Sequence, residues 1–300
     1  MTWLYLALIS ATTTSLTTIF SKLGLKGINS NLATLIRTGI VIIFSFLLCL
    51  ISGCFASIKS FTLTNYLFLF LSGIATGLSW LCYFKALKLA SVNKVAPIDK
   101  SSFILTSILF LIFFFNETTN NGDSSTISAL MMSIILMGIG TIMMIDQKED
   151  NSDKKKNKIW FIYAFLSALF ASLVSLFIKI GLKNINSNVA TLFRTIIVFF
   201  FALAIVLIKK DYKGIKEISK KNWIYLILSS ISTGVAWLSE YASYNINNSN
   251  AIAINSIGKL SILLTMLFSY LFLKEKFSKK TLIGLSFLTY GIIIIVIYSL

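Results

Sequence analysis

Histidine is absent from all 300 residues, so the side chain used most often as a general base or metal ligand is missing. Acidic residues number only 11, and they form no clustered carboxylates. Cys49, Cys54 and Cys82 are the only cysteines; they lie in or beside apolar runs, with neither a disulfide framework nor metal-ligand spacing. Proline occurs once, at Pro97. There is no nucleophile motif, metal site or ATP-binding loop, so neither an enzyme nor a bound cofactor is expected. Charge is scarce as well, at 13% of residues against 56% hydrophobic, with a mean hydropathy of +0.85. A soluble domain needs about 25% charged residues to cover its surface. The chain is therefore read as an all-α integral membrane protein, with the lipid bilayer as its first partner.

The formal net charge of +16 does not point to nucleic acid, because the lysines sit mostly in short loops between apolar runs. The first apolar run has no basic leader and no clear cleavage site, and is expected to be retained as a helix.

What the sequence does contain is a repeat. Asn29–Thr38 reads NSNLATLIRT and returns 157 residues later as NSNVATLFRT, Asn186–Thr195. SKLGLKGI before the first copy answers IKIGLKNI before the second. LSGIATGLSWL at Leu71–Leu81 answers LSSISTGVAWL at Leu228–Leu238. Self-similarity at a fixed offset means two copies of one structural unit.

Runs of spanning length fall at 3–21, 32–52, 62–84, 95–115 and 124–145, then at 159–178, 189–208, 222–243, 251–272 and 279–299. The polar stretch Gln147–Lys158 separates the two sets. The expected organisation is a first repeat over 1–146, a charged cytoplasmic linker over 147–158 and a second repeat over 159–300. Five crossings per copy force the second copy to enter in the opposite orientation. The expected architecture is thus ten transmembrane helices as two inverted five-helix repeats around a central cavity. Twenty lysines fall in the loops after odd-numbered spans, against Lys59, Lys179 and Lys183 on the other side. That bias places both termini outside a bacterial cytoplasmic membrane.

Six charged residues fall within spans. Arg37 and Arg194 are repeat mates, as are Lys100 and Lys259; Asp99 and Glu240 are the acids. A charge at depth costs about 2.5–3.5 kcal/mol on insertion scales, so such residues usually face a cavity or a partner. For the arginines, snorkelling or capping of neighbouring carbonyls stands beside substrate contact. For the lysines the rival is a structural ion pair. Glu240, at the position of Tyr83 in the first copy, is a candidate proton carrier or an interfacial charge, and Asp99 a second candidate for proton coupling. Trp80, Tyr83, Trp237 and Tyr241 are candidates for cavity wall or aromatic belt. Trp3, Trp160 and Trp223 read as interface anchors, and Gly73 with Gly77 as a close-packing pair. The threonines of the first span, Thr12–Thr14, Thr17 and Thr18, polarise part of its surface or bond back to their own helix.

The stretches SKLGLKGINSNLATLIRT, TGLSWLCYFKAL and KVAPIDKSS resemble the EamA domain of the drug/metabolite transporter superfamily, and the resemblance covers nearly the whole chain as two fused domains. The second copy departs where VAPIDK becomes IAINSIGK: Ser256 stands for Pro97 and Gly258 for Asp99, while Lys259 keeps the lysine. The resemblance implies a central substrate cavity and secondary transport of small metabolites. The expectation is an exporter or exchanger of an amino acid or related carboxylate, held by Lys100, Lys259, Arg37 and Arg194, as monomer or homodimer. A multidrug exporter of lipophilic cations is the alternative, and a non-transporting receptor or scaffold a remote one.

Overall fold

In the computed structural model the described residues are 2–25, 27–90, 92–119, 122–144, 159–247, 250–274 and 277–299. The expected linker at 147–158 lies outside them. The described residues form helices and turns, with no strand among them.

The first half contributes α1 (Thr2–Gly24), α2 (Ser30–Ile51), α3 (Leu63–Leu89), α4 (Val92–Lys100), α5 (Ser102–Phe113), the short α6 (Phe115–Thr118) and α7 (Ser124–Met144). The second contributes α8 (Ile159–Gly181), α9 (Ser187–Lys209), α10 (Lys220–Ile246), α11 (Ala251–Lys259), α12 (Ser261–Leu273) and α13 (Lys279–Ser299). Eight helices among the described residues are long and apolar enough to cross a membrane, α11 and α12 counting as one. The chain is a multi-pass membrane protein. The expected span at 95–115 is divided at Ser101 into α4 and α5, and the one at 222–243 is α10, whose serines, threonine and Glu240 dilute its apolar character.

The NSN of each repeat is a helix start. Asn29 and Asn186 are N-caps whose side chains accept from the backbone N–H of Asn31 and Asn188, each at 2.9 Å. Such a cap satisfies one of the amide donors that a helix N-terminus leaves orphaned.

The two halves grip each other reciprocally. Asn65 donates to the Gly181 carbonyl at 2.9 Å, and its mate Asn222 donates to the Gly24 carbonyl at 3.0 Å. Farther along, Ser79 meets Ser167, and Ser243 donates to the Trp3 carbonyl at 2.8 Å. As residue numbers rise on α3 they fall on α8, and likewise for α10 against α1, so each of these pairs runs antiparallel. α7 and α13 also cross antiparallel: Gly291 meets Met137, and Gly140 meets Gly284. Gly73, Gly77 and Gly234 are close-packing positions too, and a Cβ on Gly73 would fall 2.7 Å from the Ile197 side chain. A Cβ on Gly77 would fall 2.2 Å from the Phe201 ring, and one on Gly234 would fall 2.5 Å from the Phe44 ring.

Trp3 is an exception to the expected interface anchors, since it is buried against the second half. Large apolar side chains point outward (Ile51, Leu63 and Ile208 among them), while many serines and threonines are buried. Their hydroxyls mostly donate to carbonyls three or four residues back, as Thr34 does to Ser30 and Ser230 to Leu226. This satisfies the buried oxygen within its own helix.

Candidate functional site

A chamber of about 560 Å³ lies between the halves. One wall is the polar face of α1, including Ser10, Thr14, Thr17 and Thr18. Thr17 contacts Thr233 at 3.4 Å and Thr18 bonds back to Thr14, so the two uses expected of these threonines coexist on one helix. Of the ten residues singled out from sequence, eight line the chamber: Arg37, Trp80, Tyr83, Asp99, Lys100, Trp237, Glu240 and Lys259. Arg194 and Tyr241 do not. Both are buried behind the wall, with the Arg194 guanidinium carbon 4.5 Å from the Trp237 ring centroid and 5.6 Å from that of Tyr241.

The lysines sit where their helices break. α4 ends at Lys100 and α11 at Lys259, and each is followed by one turn residue before the next helix starts. The Ser101 N–H bonds to both the Pro97 and Ile98 carbonyls, and the Leu260 N–H bonds to Ile257, three residues back. The helix therefore tightens at the lysine without fully unwinding. Lys259 crosses to the other half and donates to Ser102 at 3.2 Å. Among the described residues neither lysine has a carboxylate within ion-pair distance. Asp99 is held instead by Ser167, whose hydroxyl donates to it at 2.7 Å. Glu240 stands within electrostatic reach of Lys259, Arg194 and Lys100.

The arginines mirror each other. Arg37 Nη2 donates to Thr233 at 2.9 Å, and Arg194 Nη2 donates to Thr76, so each half's arginine reaches the TG motif of the other half. Trp80 and Trp237 stack across the middle, with centroids 5.6 Å apart and planes at 23°. Arg37 lies over Trp80 at 5.7 Å.

The chamber is not symmetric. It runs out to Lys22, Leu25, Ile28 and Ser30 at the α1–α2 junction. Their mates at the α8–α9 junction differ: Lys179, Leu182 and Ile185 are buried where Lys22, Leu25 and Ile28 are half-buried, while Ser30 and Ser187 are buried alike. Lys179 lies 3.0 Å from Glu117, within ion-pair distance although not aligned as a hydrogen bond, and 4.3 Å from the Phe114 ring centroid. Apolar-run length places Lys22 and Lys179 in loops. Lys22 and Lys179 belong instead to the last turns of α1 and α8. Sequence reasoning also missed Ser102 and Asn255 as lining residues; for Ser102 the signal was the KSS that closes the first motif.

Chemically, the described chamber wall holds Lys22, Arg37, Lys100 and Lys259 against Asp99 and Glu240. It is polar on one side, aromatic in the middle and net positive. No group of histidine, cysteine and acidic side chains that could hold a metal occurs among the described residues.

The sequence model of the EamA-like transporter family matches residues 1–145 and again 158–297. An uncharacterized transporter in the cobO 3' region of Sinorhizobium sp is 33% identical over 139 residues, which is 46% of this chain and 97% of that relative. A solved crystal structure of a protein shares the fold, with a TM-score of 0.70 at 13% identity, covering 98% of this chain and 97% of that one.

Proposed function

The chain belongs to the EamA-like transporter family, and from that premise we propose that it is a secondary transporter that carries a small carboxylate-bearing metabolite, such as an amino acid, out of a bacterial cell by alternating access. The observation that carries this reading is the chamber's cationic excess, contributed from both halves at the breaks of α4–α5 and α11–α12. Lys100 and Lys259 hold the carboxylate, Arg37 assists them, and Trp80, Tyr83 and Trp237 wall the remainder of the solute. Glu240 and Asp99 receive a substrate ammonium or a coupling proton. Arg194 and Tyr241 act from behind the wall.

The fold is read as ten crossings in two inverted halves. The antiparallel runs of α1 with α10 and of α3 with α8 support this, because α1 and α3 of one half traverse in the same direction while α8 is the mate of α1. The family matches at 1–145 and 158–297 support the division into repeats over 1–146 and 159–300. With the lysine bias placing the α1–α2 junction in the cytoplasm, the state described here opens inward. A solute gradient, exchange or proton coupling drives the cycle.

The test is a thermal-shift screen of purified protein against amino acids, organic acids, sugars and lipophilic cations, followed by flux in proteoliposomes. A ligand that binds the native state raises its melting temperature. Carboxylate hits that are also transported are expected. Stabilisation by lipophilic cations alone, carried by the aromatic wall and Glu240, would replace this reading with multidrug export. A ligand that binds and is never moved would replace it with a receptor.

A further inference from the structure

The chain carries 27 basic residues, and only two of them, Arg37 and Arg194, are arginines. They occupy the same position of the repeat, in LIRT and LFRT. Arginine differs from lysine in presenting a planar fork that matches a carboxylate at two points and stacks on aromatic rings. Both properties are used here. Trp80 and Trp237 stack on each other, with Arg37 over the first and Arg194 over the second, which gives a ladder of cation, ring, ring and cation across the interface of the halves. Each ladder end is anchored to a threonine of the other half. Thr76 and Thr233 donate their own protons to the Ser72 and Ser229 carbonyls, both at 2.8 Å, so their oxygens are left to accept from the guanidinium groups.

The two ends are equivalent in partners and unequal in surroundings. Arg37 lines the chamber. Both arginines are buried, Arg37 4% and Arg194 2% exposed, and both leave Nε without a hydrogen-bond partner, but Arg194 leaves Nη1 unpartnered as well. An arginine serving only as a strut would have its donors satisfied, because buried charged groups persist in folded proteins when paired and hydrogen-bonded. The ring that Arg194 stacks on, Trp237, is itself part of the chamber wall. The donor by which the mates differ, Arg194 Nη1, lies one ring behind the wall and describes a binding group in its withdrawn position.

We infer that the two arginines take turns as the group that assists Lys100 and Lys259 on the oxyanion during the transport cycle: Arg37 faces the chamber while it runs to the α1–α2 junction, and Arg194 faces it in the opposite state, when the α8–α9 junction is open. This rests on the transporter reading above and adds which residue meets the substrate's carboxylate on each side. The device follows from the repeat, since exchanging the conformations of two like halves exchanges the surroundings of the mates. The ligand class is a carboxylate or another planar oxyanion.

The experiment uses the wild-type protein in sealed right-side-out and everted vesicles, treated with p-sulfophenylglyoxal, an anionic arginine reagent excluded by the bilayer. Peptide mass mapping follows residues 37 and 194. The expected result is Arg37 modified from one face only and Arg194 from the other face only. Thr76→Val, which removes the acceptor that holds Arg194 back, is expected to speed modification of Arg194 without changing the face from which it occurs. Arg194 unmodified from either face, or both arginines modified from the same face, overturns the inference. Counterflow of a ¹⁴C-labelled amino-acid mixture in the same vesicles keeps the two claims separate. Flux with Arg194 unmodified sinks the alternation alone, while the two-faced pattern without flux sinks the amino-acid substrate and leaves the alternation standing.

Discussion

Lys259→Met separates a substrate-binding lysine from a structural one. Its ammonium donates to Ser102 at 3.2 Å, and among the described residues no carboxylate oxygen lies within ion-pair distance. Removing it breaks no ion pair, leaves Glu240 within reach of Arg194 and Lys100, and relieves a charge drawn away from bulk water, which is itself unfavourable. The ligand-free variant is expected to melt at the wild-type temperature or slightly above it. A hydrogen bond to a charged group is worth about 1.5–3 kcal/mol. At about 2 kcal/mol, its loss weakens carboxylate affinity about 30-fold. A ligand at about 100 times its Kd stabilises the wild type by about 2.7 kcal/mol, and the same concentration then stabilises the variant by only about 0.9 kcal/mol. The ligand-induced rise in melting temperature should fall to about a third. A thiol-reactive dye reads the melt in detergent, because Cys49 and Cys54 are buried and become reactive on unfolding. A ligand-free variant that melts several degrees lower and keeps the full ligand shift would refute the reasoning and make Lys259 a strut.

Two further predictions concern α7. A Cβ on Gly140 would fall 2.5 Å from the Gly284 carbonyl oxygen and 2.7 Å from the Leu288 backbone nitrogen, whereas one on Gly138 meets only the Ile104 Cδ1 at 3.4 Å. Gly140→Ala should therefore lose about 1–3 kcal/mol to overpacking, offset by about 1 kcal/mol of helix propensity, and melt below Gly138→Ala; equal melting points would contradict the crossing. Asp123, before α7, accepts from the Thr126 N–H at 2.9 Å and from the Thr126 and Ser125 hydroxyls, and these bonds hold its carboxyl down to about 2. A depressed folded pKa stabilises above the unfolded value and is lost as pH falls through the folded one. The difference in melting temperature between wild type and Asp123→Asn should accordingly be steady down to about pH 4 and narrow toward pH 2. A gap that widens in acid would refute the cap.

Much of the site was legible because the repeat marks its own chemistry. Arg37 with Arg194 and Lys100 with Lys259 stand out as charges at matching depth, and three of these four line the chamber. What was not legible is the difference between mates. LIRT and LFRT look alike, yet Arg37 faces the chamber and Arg194 stands behind Trp237. Lys22 and Lys179 are equally matched, yet one lines the chamber and the other is buried against Glu117 and Phe114. A sequence repeat encodes the symmetric part of the structure, and a chamber open at one end is a broken symmetry that only the packing of the halves expresses. Contacts between halves were hidden for a similar reason. Ser167 on Asp99 and Ser102 on Lys259 join residues 68 and 157 apart, and no local periodicity announces such pairs.

Among the described residues, apolar length finds eight spans where the repeat implies ten. α10, which carries Thr233, Trp237 and Glu240 on the chamber, falls short, whereas α1 lines the chamber with Ser10, Thr14, Thr17 and Thr18 and still counts as a span. α10 packs on α1, α2 and α9 with one face and leaves Ile224, Ile227, Leu228 and Ile231 exposed on the other. It needs no uniform apolar surface, and its hydroxyls at Ser229, Ser230 and Thr233 are satisfied by carbonyls of the helix itself. If α10 crosses the membrane, its ends face opposite compartments. Single cysteines at Lys221→Cys and Ile246→Cys, in a background lacking Cys49, Cys54 and Cys82, should react with an impermeant maleimide from opposite sides of sealed vesicles. Labelling of both from one side would make α10 a re-entrant segment, leave the second half with an even number of crossings and remove the inverted arrangement on which alternating access between like halves depends.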